Sequence, residues 1–315
     1  MGEVEAQSAS GLSRPSSLVT RPFWTLRRRD SLVGYLFIAP QTLGFLAFVL
    51  WPCVAVFWYS LHETNLLSGS SEYSGLQNYR QLVQDPVSPT VARVTVLFCV
   101  GLVTLNIALA MLLAVLLNMK LRGTTVFRTI FFSPVVVSLV AWSIVWNFLL
   151  QDNGGINSLL MAIGVHGPNW LRGDNTSLIS VVVVQVLKNV GLNMVLFLSA
   201  LQGVPQSLLE AAEIDGAGPW RRFRSIVLPM ISPTTLLTTI VTISASLQVF
   251  AQIQILTAGG PENHTNVLVY YFYQQAFQNH DLGYGSSLAV VLFLLILGLT
   301  LVQWRLRKRW VFYEA

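Results

Sequence analysis

The chain has 315 residues, 53% of them hydrophobic and only 10% charged, with a formal net charge of +5. Soluble domains carry about 25% charged residues. This deficit, with a mean hydropathy of +0.60, excludes a disordered chain and argues against a soluble enzyme or a nucleic-acid binder.

Residues 1–30 are polar, rich in Ser and Arg, and lack the apolar core of a secretory signal. They read as a flexible cytoplasmic tail ending in Arg27, Arg28 and Arg29. Six apolar stretches follow: Leu32–Leu61, Val91–Asn118, Thr129–Leu150, Leu178–Leu201, Thr234–Leu256 and Ser287–Trp304. Each can cross a hydrocarbon core of ~30 Å as a helix rising about 1.5 Å per residue. No alternating barrel pattern is present, and lipid offers backbone groups no water, so helices are required. The expectation is an all-α polytopic membrane protein with six transmembrane helices. Residues 31–310 form its single domain, followed by a short tail, 311–315. All 14 acidic residues lie in tails and connections, as lipid-embedded helices demand.

Basic residues set the predicted orientation. The N-terminal tail, the 2–3 connection, the 4–5 connection and the C-terminal tail hold 15 of the 19 Lys and Arg. The positive-inside rule therefore places both termini in the cytoplasm. The pI of about 9.4 reports orientation, not affinity for nucleic acid. Segments 62–90, 151–177 and 257–286 fall outside and could form lids or docking surfaces. Cys53 and Cys99 sit in apolar runs without metal spacing and read as small buried hydrophobes. His62, His166, His264 and His280 are scattered, so no metal site is expected.

The 4–5 connection, Gly203 to Pro229, is unusual. Pro205 suits a first helical turn. Leu208, Leu209 and Ala212 make an apolar stripe flanked by Glu210, Glu213 and Asp215. Gly216, Gly218 and Pro219 end that helix. A second short helix is predicted over Trp220–Val227, broken by Pro229 and Pro233 before span five. The result is a compact helix-turn-helix between two spans. It could transmit motion from a soluble motor, or lie on the lipid as an ordinary amphipathic connector.

Glu210-Ala211-Ala212, Asp215-Gly216-Ala217 and Ile226-Val227-Leu228-Pro229 resemble the EAA loop of binding-protein-dependent ABC importer permeases. Other segments resemble the carbohydrate-uptake branch, the maltose-type permeases. They are Gly75-Leu76-Gln77-Asn78-Tyr79, Arg128 with Pro134 and Trp146, Gly155-Ile156-Asn157, and Leu256-Thr257-Ala258-Gly259-Gly260-Pro261. The resemblance covers roughly residues 30–310. It implies two permease subunits, usually different chains, around one pore, with two separate ATPase subunits and an external solute-binding protein. It implies that Glu210, Ala211, Ala212, Asp215 and Gly216 couple to the ATPase. It also implies that ATP and Mg bind those partner subunits and that this chain holds no cofactor. Family habit suggests a bacterial inner membrane.

Lys188 is the one charge in the middle of a span, where it costs about 2.5–3.5 kcal/mol on the insertion scale. It should face a wet or protein-lined space. Lys188, Asn189 and Asn193 either line the solute pathway, or Lys188 pairs with the second permease subunit. Span five carries Thr242, Ser244, Ser246, Gln248, Gln252 and Gln254. These either hydrogen-bond between helices or recognise sugar hydroxyls, with Phe250 as a stacking surface. Ser246, Gln248 and Asn189 are the preferred solute contacts. None of the three lysines follows a GxxxxG pattern, so no nucleotide site is expected. The competing readings are glycerol phosphate or another polyol derivative as solute, and an ion-coupled secondary transporter. The latter wants intramembrane acids, which the spans lack.

Overall fold

The computed structural model describes residues 23–119 and 123–310. The sequence-predicted tails fall largely outside this range, as do Lys120 and Arg122. Within it, helix α1 (Phe23–Phe45) already begins inside the stretch expected to be tail. A wide π turn, Leu46–Leu50, joins it to α2 (Trp51–Ser60).

Two compact units divide the chain, Met1–Val54 and Ala55–Ala315. In the first, Tyr35, Leu36, Phe37, Phe48 and Trp51 are all exposed. Such an apolar surface suits lipid or a partner helix, not water.

The second unit opens with a hairpin that an all-α expectation did not contain. Strand β1 (His62–Thr64) pairs antiparallel with β2 (Ser71–Tyr73), with His62 opposite Tyr73. Helix α3 (Gln77–Gln84) follows. Its Asn78 donates to the carbonyls of Ser60 and His62, both at 3.0 Å, and Tyr79 donates to Ser60 Oγ at 2.8 Å. The Asn-Tyr pair thus ties off the carbonyl end of α2, which has no helical partner there.

Helix α4 (Ser88–Asn118) is the longest. Then come α5 (Thr124–Val136), α6 (Leu139–Leu149), α7 (Gly155–Ala162) and α8 (Thr176–Gln202). Helix α8 packs along α4. Ala110 and Ala114, both fully buried, sit one turn apart on α4; small residues at that spacing let two backbones close together. Phe98, Leu102, Met194 and Phe197 fill the rest of this core.

Among the described residues, four helices are long and apolar enough to cross a membrane: Val33–Ser60, Ser88–Asn118, Thr176–Gln202 and Leu282–Arg305. Two bent pairs raise the number to as many as six. The protein is a helical, polytopic membrane protein. The bends were not expected. The third stretch turns by 104° between α5 and α6. The chain is extended at Val137 and Ser138, with ψ of 139° and 138°.

The 4–5 connection holds α9 (Gln206–Ile214) and then a continuous element, α10 (Pro219–Arg222), a π turn Phe223–Val227 and α11 (Leu228–Met230). Pro229 does not break this element. The wide turn, in which Leu228 N–H reaches Phe223 O, relieves the ladder where a proline would clash. The break comes at Ile231, and α12 (Ser232–Ser246) departs at 67°. A second interruption, 247–250, separates α12 from α13 (Ala251–Leu256). Helix α14 (Leu268–Tyr273), a π turn Gln274–Gln278 and α15 (Leu282–Trp310) complete the chain. Cys99 is half-buried as expected, but Cys53 is exposed on α2, because the helix face it occupies has no cover within its own unit.

Candidate functional site

The first element of the site is the connector. Helix α9 ends in a reciprocal C-terminal cap. Gly216 N–H donates to Glu213 O at 3.0 Å, and Ala217 N–H to Ala212 O at 2.9 Å. Gly216 has φ +77°, the left-handed conformation that this cap requires and that a Cβ disfavours. Across the turn, Arg222 donates to Glu213 at 2.6 Å. The connector is therefore a stapled pair of helices. Glu210, Ala211, Asp215 and Gly216 are exposed, and Ala212 is half-buried beneath them. Two residues not singled out from the sequence stand beside them. Ile214 is 87% exposed and Trp220 71% exposed. In a sequence they read as ordinary core hydrophobes; only the turn's geometry turns them outward.

The second element is a polar seam between α8 and span five. Gln252 on α13 donates to Gln185 on α8. Asn193 on α8 donates to Thr242 on α12 at 3.1 Å and to Asn106 on α4 at 2.5 Å. All five of these residues are buried. The two helices run antiparallel, so each turn forward on α8 meets one turn back on span five. Asn189 stands midway between Gln185 and Asn193, and Gln248 between Gln252 and Thr242. Between these ties in sequence, at the middle rung, Asn189 is half-buried and Gln248 is exposed. The rung coincides with the interruption after α12, where backbone groups leave the helical ladder. Gln248 reaches back to Ser244 O at 3.1 Å.

Ser246 points elsewhere. Its hydroxyl donates to Ile243 O at 2.7 Å and approaches Cys99 Sγ at 3.0 Å, inside the contact with α4. Phe250 is half-buried against Tyr270 and Tyr273, with ring centroids at 5.9 and 4.8 Å. The structure thus leaves Asn189 half-buried and Gln248 exposed. Asn193 and Ser246 serve as interhelical ties. Asn106 and Gln185 had a signal in the sequence, Asn106 as a lone amide within an apolar run and Gln185 by its four-residue spacing from Asn189 and Asn193.

Lys188 is 7% exposed. Its ammonium donates to the carbonyls of Pro134, Val135 (3.2 Å) and Val137 (2.7 Å), at the bend between α5 and α6. Those carbonyls end a helix and have no partner within it. They also carry the negative end of the helix dipole, which favours a cation.

The loop motifs have local work. Asn157 donates to Asp152 O and accepts from Trp170 Nε1 at 2.7 Å, closing segment 151–177. Asp85, just before α4, accepts from Tyr271, from Tyr284 at 2.6 Å, from Val87 N–H at 2.9 Å and from Ser88 at 3.3 Å. Burial alone would raise its pKa. The four donors outweigh burial and hold it below the usual carboxylate value.

Residues 106–310 match the family model described as the binding-protein-dependent transport system inner membrane component. The chain belongs to this family. It is a permease subunit of an ABC importer. The permease is 34% identical over 289 residues to the sn-glycerol-3-phosphate transport system permease protein UgpA of Pectobacterium atrosepticum, covering 91% of this chain and 97% of that protein. The Escherichia coli protein of the same name is 31% identical over 287 residues, again covering 91% and 97%. Among solved structures, the permease fold matches a chain of a bacterial alginate ABC transporter, crystallised with an alginate pentasaccharide-bound periplasmic protein. The TM-score is 0.79 at 22% identity, over 91% of this chain and 97% of that one. At that identity the likeness establishes the fold.

Proposed function

We propose that this permease forms half of the pathway by which a sugar or related hydroxylated solute, delivered by an external binding protein, enters a bacterial cell. A second permease subunit completes the pore, and two separate ATPase subunits drive it. ATP and Mg bind those subunits, and this chain carries no cofactor. Both termini face the cytoplasm, as does the connector, because the basic residues gather there. The stapled, exposed connector is the observation that carries this reading. Its Glu210, Ala211, Ala212, Asp215 and Gly216 meet the ATPase, with Ile214 and Trp220 as apolar contacts beside them. ATP-driven closure shifts the spans between two packings.

The solute passes Asn189 and Gln248. Amides there can both donate to and accept from hydroxyl groups, and the aromatic ring of Phe250 lies two residues on. Lys188, Asn193 and Ser246 support that face from behind. A second reading has support of its own: the named relatives are glycerol-phosphate permeases, so a phosphorylated polyol is the leading alternative solute.

The experiment uses the assembled transporter in membranes. Glu210→Ala should release the ATPase on purification while leaving insertion intact. Normal ATPase retention and normal transport would refute the coupling assignment. The ligand that co-purifies with the cognate binding protein identifies the solute. Asn189→Ala and Gln248→Ala should then raise its KM.

A further inference from the structure

Helix α8 carries two adjacent stripes. One is the polar stripe Gln185, Asn189 and Asn193. The other, one or two residues earlier at each turn, is Val184, Lys188 and Gly191, and it holds the third span at three places. Trp142 of α6 donates its indole N–H to Val184 O at 3.1 Å. Lys188 caps the bend itself. Gly191 lets the Phe131 carbonyl of α5 approach so closely that a Cβ would overlap it. The upper half-helix, the elbow and the lower half-helix are thus each fixed to the same face of α8.

An ammonium has three protons and no acceptor. All three are engaged by carbonyls at the bend, so none is left to recognise a solute. The elbow in turn lacks any other donor for those carbonyls. With Val137 and Ser138 extended, the α5 helix cannot continue to supply N–H groups.

We propose that Lys188 is a positioning residue for transport. It pins the elbow of the third span to α8, so that both half-helices and the polar rungs at Gln185, Asn189 and Asn193 move as one body. This rests on the reading that the middle rung, Asn189, faces the solute. The pin itself is tested without any solute.

Spin labels are placed at Val126 on α5 and Phe148 on α6, which are 61% and 66% exposed, with Cys53 and Cys99 replaced by Ser. Their separation is measured by pulsed dipolar spectroscopy in the full transporter, without nucleotide or solute. Lysine at 188 should give one narrow distance. Lys188→Met, which keeps the chain but no donor, should broaden it. It should also lower ATP hydrolysis stimulated by the loaded binding protein about tenfold, equivalent to roughly 1.4 kcal/mol. Lys188→Arg, which restores donors to the carbonyls, should recover both. An unchanged distance in Lys188→Met overturns the proposal, whatever happens to activity. If Lys188→Met does not accumulate, Lys188→Arg decides. A narrow distance with retained stimulation supports the pin, and a broadened one overturns it. Failure of the pin leaves the KM tests at Asn189 and Gln248 untouched, so the two readings fall separately.

Discussion

The guanidinium of Arg222 lies 2.6 Å from the carboxylate of Glu213, across the turn that joins α9 to α10. The Glu213 side chain is 68% exposed, so the pair contributes about 0.2–1 kcal/mol. Its value is directional: it holds two short helices at a fixed angle. Either single reversal, Glu213→Arg or Arg222→Glu, should weaken retention of the ATPase on purification, and the double reversal should regain it. The effect should fade in about 1 M salt, where the screening length is near 3 Å. A double reversal no better than the singles would contradict the staple.

Gly216 and Gly218 stand two residues apart and should respond differently to the same change. Gly216 has φ +77°, and alanine there costs roughly 1–2 kcal/mol. Gly218 has φ −65° with nothing near its missing Cβ. Gly216→Ala should therefore loosen the connector and lower binding-protein-stimulated ATP hydrolysis. Gly218→Ala should leave it unchanged. Equal losses in both variants would mean that the turn conformation is not what matters.

Much of this architecture is legible in the sequence because lipid is an unforgiving solvent. Runs without acids locate Ser88–Asn118 and Thr176–Gln202 almost to the residue. Asn78 and Tyr79, visible as a motif, prove to close the carbonyl end of α2. The elbow at Val137 is not legible. Hydropathy passes through it unchanged, and its stability comes from Lys188, which lies 51 residues further along the chain. Lys188 itself is conspicuous as a charge in the middle of a span, yet composition cannot say whether it meets a solute, a partner or a backbone. The polar residues of span five are equally visible. Which of them stay exposed depends on the antiparallel register with α8 and on the interruption at 247–250.

The buried amides Asn106 and Asn193 tie α4 to α8 by a side-chain hydrogen bond. Asn193→Leu leaves the Asn106 carbonyl oxygen without its 2.5 Å donor, in a site with no exposure to solvent. Interhelical hydrogen bonds in membranes contribute about 0.6 kcal/mol on average and about 1.7 at most. The single substitution should destabilise the permease by about 1 kcal/mol or more, since it also strands an acceptor. The double change, Asn106→Leu with Asn193→Leu, should cost less than the sum of the singles. Denaturation in mixed micelles measures all four proteins. Strict additivity would show that the two amides are not coupled.

Asp85 predicts a pH dependence whose sign follows from its donors. Its folded pKa lies below the ordinary value, which is about 3.9 in an unfolded chain. The stabilisation is therefore fully present above that unfolded value and is lost as pH falls through the folded pKa. Nothing from this group should change between pH 5 and 8. Tyr271 cannot disturb the cluster at high pH, because burial first, and the hydrogen bond to Asp85 next, push its phenol well above the usual range. Tyr271→Phe removes one hydrogen bond to a charged acceptor and should cost about 1.5–3 kcal/mol near neutrality. Asp85→Asn should lose stability at neutral pH and show a shallower decline on acidification below about 4. Thermal unfolding of the purified permease from pH 3 to 8 makes the comparison. Parallel acid limbs for the wild type and Asp85→Asn would remove Asp85 from the account of how the connection before α4 is held to α14 and α15.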